Sequence, residues 1–147
     1  CEAAGVPCVG YNVDMTSVAP NTALTSASID WGVYYTYAVQ CMIDGKDIDT
    51  DWCKGFAEGA NKITPLNDKV VAEGTEEKVK EVEDAIADGS LHVFDTSTFT
   101  VDGKELTTYK KDGSDTEYIS DGYFHESEYG SAPAFDIAID GITSITE

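Results

Sequence analysis

Residues 6–14 read VPCVGYNVD, and residues 23–45 read ALTSASIDWGVYYTYAVQCMIDG. Residues 6–11 form a short apolar run directly after Gly5, the pattern expected of a buried parallel strand. The run ends in a polar cluster of Asn12, Asp14, Thr16 and Ser17. A second, weaker strand is expected over residues 23–28, after which Asp30 stands where a helix N-cap belongs. Trp31, Tyr34, Tyr35, Ala38, Cys41 and Met42 then recur at helical spacing until Asp44 and Gly45 stop the helix. Strand, polar turn, strand and capped helix make the fold class α/β.

This order also points to a place for a ligand. In open α/β sheets, ligands bind at the carboxyl ends of strands, where short polar side chains meet helix N-termini. Asn12 and Asp14 leave the end of the first strand, Ser26 and Asp30 belong to the end of the second, and Trp31 opens the helix beside them. A carboxylate and an amide next to an exposed indole suit a ligand with hydroxyls and a flat ring, such as a nucleoside. Asn12, Asp14, Ser26, Asp30 and Trp31 are therefore the candidate ligand-binding residues. The competing reading is structural: Asn12 and Asp14 shape a turn, Asp30 only caps, and Trp31 is core. The residues alone leave both open.

Upstream, EAAG at residues 2–5 reads as the last turn of a helix with Gly5 as its left-handed stop. The expectation is that the chain is a piece of something longer, cut inside a βαβ unit. Downstream, residues 46–68 read as irregular because Gly55, Gly59 and Pro65 break any helix. Val70 and Val71 make a brief strand. Thr75 is expected to cap a helix that carries Glu76 and Glu77 in its first turn, buries Val79, Val82 and Ile86, and ends at Asp88 and Gly89. LHVFD at 91–95 follows as a strand. Residues 98–109 read as a β-hairpin turning at Asp102 and Gly103, residues 110–116 as a polar loop, and residues 134–142 as a strand with Phe135, Ile137 and Ile139 facing in. Residues 1–95 are thus an α/β segment and residues 96–147 a β-rich extension.

The 147 residues carry 9 Lys+Arg against 28 Asp+Glu, a formal charge of −19, and no Lys/Arg cluster. A nucleic-acid surface is built from such clusters, so nucleic acid is excluded as an expected partner. No run approaches the roughly 20 apolar residues that a membrane-spanning helix needs. Cys1, Cys8, Cys41 and Cys53 have neither CxxC spacing nor a His at zinc-finger distance and read as free, partly buried thiols.

Residues 47–58, DIDTDWCKGFAE, imitate a calcium loop, with Asp47, Asp49, Asp51 and Glu58 at positions 1, 3, 5 and 12. Position 6 needs a glycine for its sharp turn and holds Trp52; position 8 needs a hydrophobe and holds Lys54. Gly59 and Pro65 break the exit helix. The three Asp residues read as solvated, with Trp52 and Phe56 packing a connection. An acidic, secreted, calcium-dependent interaction module is the alternative function, and no metal is expected.

The motifs GxSxG, GxGxxG, HExxH and the P-loop are all missing from the sequence. His92 reads as a structural residue in an apolar strand and His125, in GYFHESEYGSAP, as part of a solvated polar loop. Paired carboxylates are everywhere in so acidic a chain, so none stands out as an acid/base couple. No enzyme activity and no cofactor are expected.

Taken in order, VGYNVD, APNTALTSASIDWGVYY, GFAEGANKITPLNDKV and TEEKVKEVEDAIADGSLHVFD resemble the C-terminal part of the basic-membrane-protein family. Its members are substrate-binding lipoproteins of ABC importers related to the purine-nucleoside receptor. FTVDGKELTTY and DGYFHESEYGSAPAFDIAIDGI resemble an extension in one branch of that family. The resemblance implies a type I periplasmic-binding-protein fold, in which two α/β lobes close on a solute and an ABC permease reads the closed form. Residues 1–95 would span the hinge and parts of both lobes. The whole protein would be extracytoplasmic and membrane-attached only through a lipid anchor. Members often carry GVDxD where this chain has Gly10-Tyr11-Asn12-Val13-Asp14, so Asp14 matches the second acidic position and Asn12 replaces the first. Many members also have a Lys shortly after the LTS strand, where Ile29 and Asp30 stand here.

Overall fold

A computed structural model describes residues 1–126, 128–129, 137–143 and 145. The chain divides into two compact units, residues 1–49 with 54–91, and residues 50–53 with 92–147.

The first unit is a mixed α/β layer. A 3-10 turn, Glu2–Ala4, ends at Gly5 in the left-handed conformation expected of it (φ 64°). Strand β1 (Cys8–Asn12) runs parallel to β2 (Ala23–Ile29), with Gly10 opposite Ser26 and Asn12 opposite Ser28. The two are joined through residues 13–22 by a tight turn in which the amides of Val18 and Ala19 donate to the Met15 carbonyl. That turn folds back on the sheet: a Cβ at position 10 would collide with Ser26 Oγ and lie 2.5 Å from Met15 Cγ. Glycine at position 10 is what lets the loop close.

Helix α1 (Trp31–Asp44) is rich in aromatic and β-branched residues, which are weak helix formers, so its ends matter. Asp30 accepts from the Gly32 amide at the N-terminus, and Gly45 (φ 67°) donates to the Cys41 and Met42 carbonyls at the other end. Of the periodic residues, only Cys41 is buried; Trp31, Tyr35 and Met42 are exposed. Helix α2 (Thr75–Ala87) has Gly74, not Thr75, at its N-cap, with no side-chain cap, so Glu76 and Glu77 in the first turn are left to answer the helix dipole. Val79 and Ile86 are half-buried, whereas Val82 is exposed.

Two expectations fail in this unit. Residues 61–63, within the segment read as irregular, form β3 (Asn61–Ile63), antiparallel to β2, with Lys62 opposite Ser28. Val70 and Val71 form a turn instead of a strand, because both amides donate to the Asn67 carbonyl. A cross-strand partner, invisible to local pattern, decides the first, and turn bonds to a residue three and four positions back decide the second. The sheet order is β1-β2-β3.

The second unit is built from short hairpins. Strands β4 (Thr100–Val101) and β5 (Lys104–Glu105) turn at Asp102 and Gly103, both with positive φ, as the hairpin pattern requires. Strands β6 (Ile119–Ser120) and β7 (Tyr123–Phe124) turn on a second Asp-Gly pair, Asp121 and Gly122. The core is Tyr109, Tyr118, Ile119 and Phe124, with Leu106 and Ile137 packed against it. Residues 91–95 do not form a strand; Asp95 makes an isolated bridge to Tyr123 and then caps a 3-10 turn, Thr96–Thr98. Of the strand expected over 134–142, residues 134–136 lie outside the described residues and 137–139 take no strand conformation.

His125 corrects the reading of its loop as solvated, for its side chain is 7% exposed. Its Nε2 lies 2.7 Å from Ser120 Oγ and its ring packs, tilted by 30°, against Tyr123, which also stacks on His92. The aromatic neighbours reward burial of a ring that the surrounding acidic residues would otherwise keep wet.

Candidate functional site

The carboxyl ends of β1 and β2 gather short polar side chains, as the α/β pattern requires. At the end of β1, Asn12 adopts a positive φ of 69°, a conformation that asparagine tolerates better than most residues. Its carbonyl accepts from Ser28 Oγ at 2.8 Å. Asp30 follows β2, its own amide bound to the Ala60 carbonyl at 2.7 Å. Asp30 Oδ1 accepts from the Gly32 amide at 2.9 Å and Oδ2 pairs with Lys62 Nζ at 3.0 Å. The Lys62 hydrogen bond, then the Gly32 amide, hold its carboxyl below the usual aspartate range. Trp31, the first residue of α1, is 54% exposed and stacks at 6.5 Å on Tyr35. Asn12, Ser28, Asp30, Trp31 and Lys62 thus form one strand-end cluster.

The other two sequence candidates go elsewhere. Ser26 is fully buried, its Oγ accepting from the Met15 amide at 3.3 Å and its amide donating to Thr64 Oγ1 at 2.8 Å. It holds the β1–β2 loop and the connection after β3, so no ligand reaches it. Asp14 turns back on its own loop, accepting from the Thr16 amide at 2.9 Å and hydroxyl at 2.7 Å. These two bonds hold its carboxyl below the usual aspartate range. Asp14 also lines a cavity of about 330 Å³ with Thr16, Pro20, Leu66, Asn67 and Lys69. Asn67 shapes that cavity, since its Nδ2 donates to the carbonyls of Pro20 and Ala23. A neighbouring cavity of about 520 Å³ shares Pro65 and Leu66 and reaches Glu76 and Glu77 at the start of α2.

The chain is similar to a purine-binding protein. The relative comes from Brucella abortus and is 30% identical over 106 residues, which cover 69% of this chain. Those residues span 28% of the relative's length. No family model matches the chain.

Ser28 and Lys62 join the strand-end cluster without a sequence signal of their own. Ser28 needed the β1–β2 register and Lys62 needed β3, a three-residue strand in a segment broken by Gly and Pro. In the calcium-like loop the Glu58 carboxylate accepts from the Gly55 amide at 3.1 Å and pairs with Lys54 at 3.8 Å. Asp47, Asp49 and Asp51 are exposed, and Trp52 and Phe56 are half-buried.

Ser120, His125 and Glu128 resemble a hydrolytic relay in residue type alone. Glu128 Oε1 lies 2.8 Å from Nδ1, but outside the direction of a hydrogen bond. The Ser120 carbonyl also faces Nε2 at 3.3 Å, competing with the hydroxyl. The ring is a buried cross-link of the β6–β7 hairpin. The four cysteines are free thiols: Cys1 is exposed, Cys8 and Cys53 half-buried and Cys41 buried.

Proposed function

We propose that this chain forms part of a solute receptor of an ABC importer and helps to capture a nucleoside-like ligand. The observation that carries this reading is the similarity to a purine-binding protein over 69% of the chain. The strand-end cluster supports it by offering the chemistry a nucleoside needs. Asn12 and Ser28 supply uncharged donors and acceptors, Asp30 a carboxylate for hydroxyl or N–H groups, and Trp31 an exposed flat face. In this reading the ligand is held without covalent chemistry, and binding shifts a two-lobe receptor towards its closed state, which a permease recognises. The receptor is extracytoplasmic and tethered by a lipid anchor.

The exposed apolar surface of the first unit is consistent with a larger fold. Val9, Tyr11 and Val13 on and after β1, and Tyr35, Val39, Met42 and Ile43 on α1, are all more than half exposed. Apolar surface of this extent marks an interaction face, and in a two-lobe receptor the remaining elements cover it.

Titration of the ¹⁵N-labelled chain with adenosine, inosine and guanosine tests the proposal. Shifts are expected at the amides of Asn12, Ser28 and Asp30 and at the Trp31 indole. If none of the three nucleosides moved these resonances at concentrations up to about 1 mM, where even a ~4 kcal/mol interaction is visible, the nucleoside reading would be wrong.

A further inference from the structure

Among the described residues of the first unit, the Asp30–Lys62 ion pair differs from the others in what it joins. The pairs Lys46–Asp44, Lys54–Glu58, Lys78–Glu81 and Lys80–Asp84 each link residues no more than four positions apart. Lys62 and Asp30 are 32 positions apart, and their side chains are 52% and 43% exposed. The antiparallel pairing of β3 on β2 sets Lys62 opposite Ser28, which itself bonds to the end of β1. Three elements therefore converge on this pair.

Its hydrogen-bonding capacity is only partly used. A carboxylate offers about four acceptor directions and an ammonium three donors. Asp30 spends one on the Gly32 amide and one on Lys62, and Lys62 spends one on Asp30. A charged acceptor and charged donors remain side by side, next in the chain to the exposed indole of Trp31.

We infer that Asp30 and Lys62 together read the edge of a purine ring, and that Lys62 is a specificity-determining residue. This rests on the nucleoside reading above. The matching chemistry is a ring edge carrying an N–H donor next to an acceptor. Adenine presents its 6-amino group beside N1, and 6-oxopurines present N1–H beside O6. The adenine edge pairs with both side chains at once, its 6-amino group on Asp30 and N1 on Lys62, through charge-assisted hydrogen bonds. The 6-oxopurine edge carries donor and acceptor in the opposite order and sets N1–H against the Lys62 ammonium and O6 against the Asp30 carboxylate. Unsubstituted purine riboside keeps the N1 acceptor but has no donor at position 6, so Asp30 loses its partner when the ring is seated. A site whose polar group is left unpaired rejects such an analogue strongly.

The test is calorimetric or NMR-detected binding of adenosine, inosine and purine riboside to the full 147-residue chain and to Lys62→Met. An exposed ion pair contributes little to stability, so the variant keeps the fold, which circular dichroism checks. The wild type is expected to prefer adenosine over both inosine and purine riboside by about tenfold or more. Lys62→Met is expected to reduce the preference over inosine to about twofold while the preference over purine riboside, which Asp30 carries, persists, and Lys62→Gln, which keeps a neutral donor, to give an intermediate value. Equal binding of all three nucleosides by the wild type, or an unchanged adenosine-over-inosine preference in both variants, overturns the inference and leaves the nucleoside reading in place. Binding of none of them by the wild type overturns that reading and the inference with it.

Discussion

Gly10 and Ser26 face each other in the β1–β2 register, and the Ser26 hydroxyl occupies the space a Cβ at position 10 would need. The same space is bounded by Met15, whose amide donates to that hydroxyl at 3.3 Å. The loop that starts at the end of β1 is thus fastened beneath the strands that carry the strand-end cluster. Substituting Gly10→Ala forces the loop off the sheet. A loss of about 1–3 kcal/mol is expected, the usual cost of overpacking, read as a lower urea midpoint with an unchanged denaturant slope.

Asn67 fastens the same region from the other side, donating to the Pro20 and Ala23 carbonyls and, through its amide, to Leu24. Asn67→Ala removes the two side-chain bonds and leaves two carbonyls to find water. A loss of about 1–2 kcal/mol is expected. Hydrogen exchange should accelerate at residues 19–24 and 67–71 first.

Glu117 accepts from the amides of Tyr109 and Ile119 at 2.6 and 3.0 Å, next to the aromatic core of the second unit. The Tyr109 amide, ahead of the others, holds its carboxyl below the usual glutamate range. A depressed folded-state pKa contributes stability above the unfolded-state value and loses it as pH falls through the folded value. The second unit should therefore weaken below about pH 4.5, the ordinary glutamate range. Glu117→Gln should be less stable at pH 7 and show a flatter dependence between pH 5 and pH 3. Urea midpoints at these pH values, followed by near-ultraviolet circular dichroism of the tyrosines, provide the measurement.

Asp140 closes the β4–β5 turn, its carboxylate accepting from the amides of Asp102 and Gly103 at 3.1 and 2.9 Å. Its pKa is lowered, by its hydrogen bond with Thr100 and then by the Gly103 amide. Asp140→Ala should deprotect those two amides in hydrogen exchange while leaving the β6–β7 hairpin protected. Equal loss in both hairpins would mean that Asp140 supports the whole unit instead of one turn.

His125 is buried against Tyr123 and hydrogen-bonded to Ser120. Replacing it by alanine leaves a void among aromatic rings and removes its bond to the exposed Ser120. A destabilisation of about 1–3 kcal/mol is expected from the lost contact and bond. Loss of the Tyr123 ring-current shift on neighbouring protons reports it.

The sequence alone determined the elements whose signals are local. An apolar run after Gly5 placed β1, a weaker strand signal placed β2, Asp30 and Gly45 bounded α1, and Asp102 with Gly103 located a hairpin turn. Each depends on one residue's own φ preference or on a side chain bonding its nearest amides, which neighbours in sequence suffice to specify. A second Asp-Gly pair at 121–122 carried the same signal for β6–β7 and went unread. The candidate site was legible to the extent that it lies at strand ends, which gave Asn12, Asp30 and Trp31. Only tertiary structure decided that Ser26 is buried, that Asp14 faces a cavity with Lys69, and that Lys62 meets Asp30. Those facts follow from strand register and loop closure, in which partners 11 to 38 positions apart compete for the same space and the same hydrogen-bonding groups. Local propensity is blind to that competition, since its outcome depends on which distant group arrives.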